Sequence, residues 1–454
     1  MKFLQSAAVL VLSLASACPL HAEKKAGSQV VGTLTTDAQS CSWQAELAPD
    51  WVRSPVQMDI HAAYRLFVFQ SDGTIGYRVR GEFPHAAFLS YTVYDGPLAY
   101  AALLDHGIEP DAGSVNPFRP GEIVHADNRS YTVTVLPDGT DPLDSMANPI
   151  FMPPPSRHSN LVTVVLVQRI YLPEPGVDRF GGFDAPVIEP FEVSNPATPA
   201  ACPSGDLSDI TSQFGSVGSH FSQSPLPRDG RIEFYRPPAS MVPYADASGP
   251  LTKHDCTGYL MATVFPDALA VIHLPTVPVF FDNTDVAPWT TFEEPYPEGV
   301  RYLSLGSYGA SPLGALENEN IAGPEIKTLF TGGATFVAIP VGMSPADTRA
   351  VKRKADDLGY NVLPLAEAGS LFPGVEDSPR INPFLIYRNK VATAGFTGDI
   401  QNVPCFPGRG FSHAPWVYAA SPAHMGEYAP IGIECPVADF LDGSCGRDFS
   451  YSHW

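Results

Sequence analysis

A chain of 454 residues is too long for one ordinary hydrophobic core and fits two or three domains. Its 47 prolines and 38 glycines, set against only 17% charged residues, interrupt apolar runs too often for helix bundles and favour short strands. A formal charge of −21 repels phosphate backbones and anionic bilayers, so no nucleic-acid partner is expected.

The chain begins with Lys2, an uncharged apolar run over residues 3–17, and Leu20-His21-Ala22 before a polar stretch. That pattern reads as a secretory signal peptide over residues 1–22. Cleavage before Cys18 would instead give a lipid anchor, but the large aliphatic residue usual three positions earlier is missing. No later stretch reaches the roughly 18 apolar residues of a membrane helix, so no transmembrane helix is expected. The expected location is secreted or periplasmic. Residues 23–40 are small and polar and read as a flexible segment.

A first β-domain is expected over residues 41–190. Residues 63–70 form an apolar run that ends at Ser71-Asp72-Gly73, a turn sequence. Residues 75–80 alternate apolar and polar, as a half-buried strand does. Residues 87–94 and 131–136 follow, the latter stopping at Pro137-Asp138-Gly139. Residues 161–171 are the longest β-branched run of this half and read as its central strand. Residues 191–255 turn to Pro, Ser, Ala and Gly and read as a connector, with one short helix within 204–221.

A second β-domain is expected over residues 256–454. Its strands read over 258–264, 268–274, 300–304, 334–340 and 383–388. One helix is specified at 344–358, with Ser344 as N-cap, Pro345 first, Asp347 as capping partner and Gly359 closing it. Its Arg349, Lys352, Arg353 and Lys354 read as a solvated face.

The two halves share an order of elements roughly 210 residues apart. An aromatic strand leaves through Tyr and Gly, a strand ends in Pro, an Asn-containing loop follows, and a strand ends in Tyr and Arg. Repetition at that spacing indicates a duplicated domain.

The run FPHAAFLSYTVYDG, then NRSYTVTVLPDG, then ANPIFMPPP, then VLVQRIYLPEPGVDRFGGFDAPVIE resembles the DUF1214 type of secreted bacterial protein. The matching positions are Tyr94-Asp95, Pro137 to Gly139, Asn148-Pro149 and Arg169-Ile170-Tyr171-Leu172-Pro173. The resemblance covers roughly residues 60–190 and, faintly, 295–395. The sequence departs from the family at Leu89, where Trp is usual. The resemblance implies a β-sandwich and export, and no activity.

Seven cysteines occur, and Cys41, Cys202, Cys256, Cys405, Cys435 and Cys445 remain after either cleavage. An even number in an exported chain reads as up to three disulfides, with Cys435 and Cys445 stapling one C-terminal loop. No CxxC or CxxH spacing assigns a metal, and the cofactor stays open. No GxSxG elbow, P-loop, HExxH or CxxCH occurs. Candidate acid–base residues are His158, His413, His424, Glu293 and Glu294, with His85 in its Pro84-His85 turn able to act as a base beside a carboxylate. Asp178 and Asp184 flank Arg179-Phe180-Gly181-Gly182 as a second carboxylate pair. Candidate ligand contacts are Tyr94, Arg169, Tyr171, Trp289, Tyr308 and Trp416, because aromatic rings stack on C–H faces.

The fold expected is therefore mainly β: two tandem, related β-sandwich or jelly-roll-like domains with a few short helices. The function expected is binding of a small molecule or glycan in a loop-lined groove, for which the boundary between the domains is one place. The alternative is a secreted hydrolase or lyase with an atypical His/carboxylate site.

Overall fold

Period-two alternation of Val, Ile, Tyr and Phe builds strands wherever the sequence carries it. A computed structural model describes residues 40–47, 59–95, 98–119, 121–155, 160–203, 205, 230–237, 258–280, 299–311, 314–366, 369–370, 380–392, 396–404, 420 and 422–445. These all belong to one compact unit, Thr36–Trp454. The signal-peptide residues, Cys18 and residues 23–39 lie outside the described residues, as does nearly all of 204–221.

The first half contains β1 (Ala45–Leu47), β2 (Ala62–Ser71), β3 (Ile75–Glu82), β4 (Ala86–Asp95) and β5 (Leu98–Leu104). It continues with β6 (Ser130–Pro137), β7 (Pro149–Met152), β8 (Val162–Pro173), β9 (Val187–Glu192) and β10 (Asn195–Pro199). The second half holds β11 (Arg231–Ile232), β12 (Tyr259–Thr263), β13 (Leu269–Leu274), β14 (Val279–Phe280), β15 (Gly299–Ser311) and β16 (Gly314–Ala322). Then come β17 (Ala334–Pro340), β18 (Asn361–Leu365), β19 (Gly369–Ser370), β20 (Arg380–Ile381), β21 (Phe384–Ala392) and β22 (Ile431–Cys435). Among the described residues the α-helices are few: α1 (Pro345–Asp357), α2 (Pro422–Met425) and α3 (Val437–Asp442).

Two sandwiches result, and they share one plan. In the first, the sheet β1-β2-β8-β4-β5 faces the sheet β10-β9-β3-β6-β7. In the second, β12-β21-β15 with β16 beside β15 faces β11-β22-β13-β17-β18. Reading β2, β8, β4, β5 against β12, β21, β15, β16 gives the same order, and so does β9, β3, β6, β7 against β22, β13, β17, β18. A parallel edge recurs at the same place, as β6–β7 and β17–β18. The register agrees too: Arg169 pairs with Ser90 and Tyr64, and Arg388 with Ser304 and Tyr259. β8 is central to its sheet, as its β-branched run requires.

Each sandwich closes over its own core. Phe67, Leu89, Tyr91, Val133, Leu166 and Ile188 fill the first, and Leu260, Ile272, Leu303, Phe336, Leu363 and Leu385 the second. α1 and α3 cover the outside of the second sandwich, where Val351, Ala355 and Phe440 pack on Val271, Val337 and Ile339. Ser344 caps α1 by accepting the Asp347 backbone N–H at 3.1 Å, and Gly359 ends it at φ +71°. Arg349, Lys352 and Arg353 are exposed on it.

The outer face of the sheet containing β8 does not meet water. Tyr302 and Ala322 of the second half pack into Ala62, Tyr64, Phe88, Val165 and Tyr171. Several polar groups in this layer are partnered, while Ser90 Oγ is buried without a hydrogen bond. Asp59 accepts Ser304 Oγ at 3.2 Å and the Tyr302 hydroxyl, and lies 3.6 Å from the Arg388 guanidinium. Burial, with Asp59 alongside, pushes the Tyr302 hydroxyl well above its ordinary pKa. The Arg169 guanidinium lies 5.8 Å from the Tyr64 ring centre and 5.5 Å from that of Tyr94. Arg388 stands likewise at 5.6 Å from Tyr259 and 5.3 Å from Tyr308. Desolvated cation–π pairs of this kind contribute about 2 kcal/mol each, which offsets part of the cost of burying the charge.

Two disulfides occur among the described cysteines. Cys41 is joined to Cys202 with Cα atoms 5.5 Å apart, and Cys435 to Cys445 at 6.2 Å. Cys256 and Cys405 lie outside the described residues. No described helix is long and apolar enough to cross a membrane. β10 and β11 fall within the span that reads as a connector, each adding an edge strand to one sandwich.

Candidate functional site

Four of the proposed ligand contacts come together, but in a sealed place. Tyr94, Arg169, Tyr171 and Tyr308 are all buried, at no more than 2% exposure, in the layer between the sandwiches. Arg169 donates to Thr92 Oγ1 at 2.7 Å and to the Tyr94 hydroxyl, and Arg388 donates to the Tyr308 hydroxyl at 2.6 Å. They hold sheets together and do not line an open groove. His424 sits half-buried on α2, away from any described cluster of histidines and carboxylates. His158, His413, Glu293, Glu294, Trp289 and Trp416 lie outside the described residues.

The convergence of chemistry lies elsewhere, at one end of the first sandwich. β3 and β8 finish there, and β4, β6 and β9 begin there. His85 sits in the turn between β3 and β4, His125 and Arg129 in the loop before β6, and Glu174 directly after β8. His85 Nδ1 is 3.8 Å from Glu174 Oε2, and His125 Nδ1 is 3.9 Å from the same oxygen. The His85 ring stacks on His125 at 5.9 Å and on Phe183 at 5.3 Å. The side chains of His85, Glu174 and His125 are 24%, 33% and 63% exposed, so the group opens to solvent.

Backbone bonds hold these loops in place. Gly181 O accepts from His85 N at 3.0 Å, His85 O from Glu174 N at 2.9 Å, and Arg129 O from Phe83 N at 2.9 Å. The Asp178 carboxylate accepts the N–H groups of Phe180 and Gly182, both at 2.9 Å, so it shapes its own turn. Phe180 anchors the loop by lying over the Arg65 guanidinium at 3.9 Å.

Arg129 lies beneath the cluster at 2% exposure. Its Nη1 is 2.9 Å and 3.0 Å from the two His85 ring nitrogens, and Nη2 donates to Pro84 O at 3.2 Å. Burial, then the Arg129 charge, lower the His85 pKa below its ordinary 6.5, against the opposing pull of Glu174. The imidazole is therefore neutral at neutral pH and can accept a proton or donate a lone pair.

Gly181 makes this arrangement possible. At φ +78° an L side chain is strained, and a Cβ there would stand 2.9 Å from His85 N and closer still to Pro84. Gly181→Ala is expected to cost about 1–3 kcal/mol in denaturant unfolding. Gly139→Ala, at φ +86° with nothing near its Cβ, is expected to cost about 1 kcal/mol or less. Equal costs for the two would show that crowding against the His85 turn is not what Gly181 relieves.

Of this group only His85 stands out in the sequence, in its Pro84-His85 turn. His125, Arg129 and Glu174 belong to separate loops, and no spacing along the chain connects them. Arg129 is fixed in place by the strand pairing of β3 with β6, a contact that only the fold supplies.

No protein-family model and no curated protein matches the chain. Among solved structures, an uncharacterised protein from Burkholderia cenocepacia is similar at 12% identity and a TM-score of 0.44, over 88% of this chain and 83% of that one. The VPA0106 protein from Vibrio parahaemolyticus is similar at 11% identity and a TM-score of 0.36, over 84% of this chain and 90% of its own.

Proposed function

We propose that this is an exported protein that binds a small molecule or glycan at the loop end of its first sandwich. The contacting groups are His85, His125, Glu174 and the ring of Phe183. One observation carries the reading: three separate loops bring two imidazoles, a carboxylate and an aromatic face to one partly open place. Imidazole and carboxylate suit hydroxyl groups, and a ring face suits the C–H side of a sugar. The layer between the sandwiches supports a ligand less, because it is filled by hydrogen-bonded side chains. The signal-like start, the DUF1214 resemblance and the two disulfides support a secreted or periplasmic setting.

Screening a glycan array and a metabolite library against the untagged chain is expected to return a ligand. Its affinity, measured by calorimetry, is expected to fall at least about tenfold in Phe183→Ala and in His125→Ala. No ligand, or one indifferent to both changes, overturns the reading.

The 3.8 Å separation of His85 and Glu174 favours a second reading, a hydrolase or lyase with His85 as general base. In that case His85→Gln retains ligand binding and loses turnover. A ligand that the wild-type chain leaves chemically unchanged removes this second reading.

A further inference from the structure

We propose that His85, His125 and Glu174 form a site for a divalent transition-metal ion, of the zinc or copper kind, open on one side to a further ligand. The inference deepens the reading of this cleft as the ligand site and rests on it.

The donor atoms are already gathered. One ligand atom from each residue lies within 4.8 Å of the other two, and both imidazole Nδ1 atoms stand under 4 Å from one carboxylate oxygen. Metal–nitrogen and metal–oxygen bonds of about 2.0–2.2 Å in a tetrahedral shell place donors roughly 3.3–3.5 Å apart. Closing the shell thus needs a contraction of about 0.4–1.4 Å, most of it taken up by the exposed His125 side chain. The backbones of His85 and Glu174 need no further ordering, because bonds between them and to Gly181 fix them. Ordering cost is what usually separates a surface coincidence from a binding site.

Donor type sets the class of ion. Two imidazoles and one carboxylate suit zinc, copper, cobalt or nickel and not magnesium or calcium, which take oxygen shells. Three protein ligands leave a position for water or for a donor atom of the bound molecule. Arg129 works against a bare dication, since its guanidinium Nη1 lies 2.9 Å from His85 Nδ1, the nitrogen that faces Glu174, and 3.0 Å from Nε2, so an ion at Nδ1 has to displace this contact. The same charge favours an anionic atom in the fourth position. A carboxylate or alkoxide of the ligand fits that place, with the ring of Phe183 beside it. At longer range the chain's charge of −21 draws cations toward the surface.

The test uses the untagged chain, stripped with EDTA and dialysed. Calorimetric titration with zinc chloride is expected to give about one ion per chain at micromolar affinity or better, and cobalt is expected to give inner-sphere visible bands. His125→Ala and Glu174→Gln, both at partly exposed positions, are expected to weaken zinc at least about tenfold, and His424→Ala to leave it unchanged. Zinc binding that survives both cleft changes, or none below millimolar, overturns the inference. Titration of the organic ligand with EDTA present separates the two ideas. A ligand that still binds when zinc does not leaves the ligand site standing and removes the metal. Loss of both in His125→Ala, with binding of both in the wild type, supports the two together.

Discussion

Arg301→Met is expected to destabilise the folded chain by about 3–5 kcal/mol, read as a lower midpoint in denaturant unfolding. Arg301 reaches out of β15 across the boundary between the sandwiches. Its Nη1 lies 2.8 Å from Asp105 Oδ1, and Nη2 donates to Phe118 O at 3.0 Å. Both side chains are sealed, at 1% and 0% exposure. Asp105 also accepts the backbone N–H groups of Leu89 at 2.9 Å and His106 at 2.6 Å. Taking away the guanidinium leaves a sealed carboxylate with only the His106 imidazole near it in place of a fixed countercharge, and that penalty exceeds the net worth of the pair.

Asp105→Asn combined with Arg301→Met is accordingly expected to recover more than 1 kcal/mol relative to Arg301→Met alone. Acid gives an independent reading. Burial raises the Asp105 pKa, yet Arg301 and His106 outweigh it and hold the group below its ordinary 3.8. A depressed folded-state value means this stabilisation is full above the ordinary range and fades as pH falls through the lower folded value. Arg301→Met is expected to flatten that acid limb. A cost under about 1 kcal/mol for Arg301→Met would show that this pair does not hold the halves together.

Cys41→Ser with Cys202→Ser is expected to cost about 2–5 kcal/mol, and more than the equivalent change at Cys435 and Cys445. The sequence separations are 161 and 10 residues. In the chain-entropy account those loops correspond to about 5 and about 3 kcal/mol. Native geometry assists the long loop, because Cys41 N also donates to Ile188 O at 2.7 Å and sets the bond on β9. Peptide mapping of the purified chain without reductant is expected to find the 41–202 linkage. Free thiols at both positions, in protein recovered from outside the cytosol, would overturn it.

Much of the fold is legible because burial writes itself into the side-chain period. Residues 161–171 place a β-branched residue at nearly every second position and form β8; residues 334–340 match β17 end to end. The twofold plan is legible through Tyr94 and Tyr308, which hold equivalent places beside Arg169 and Arg388. The edges are less legible. β5 is Leu98-Ala99-Tyr100-Ala101-Ala102-Leu103-Leu104, with no β-branched residue, and only its pairing with β4 makes it a strand. β16 carries Glu317, Asn318, Glu319 and Asn320, a polar string that relies on β15 in the same way. The candidate site is the least legible part. Loops have no period, and what brings Glu174 to His85 is a hydrogen bond between backbones that any residue types could make.

The contact between β4 and β15 joins strands that hold the same place in each half. Such a meeting of like with like has the geometry of a two-chain complex folded into one polypeptide. Severed after residue 203, the amino-terminal portion would lose Tyr302 and Ala322 from over Tyr64 and Tyr171 and present those rings to solvent. A lone portion would thus need a companion copy to hide that surface, and concentration would govern its folding where the intact chain depends only on its own sequence.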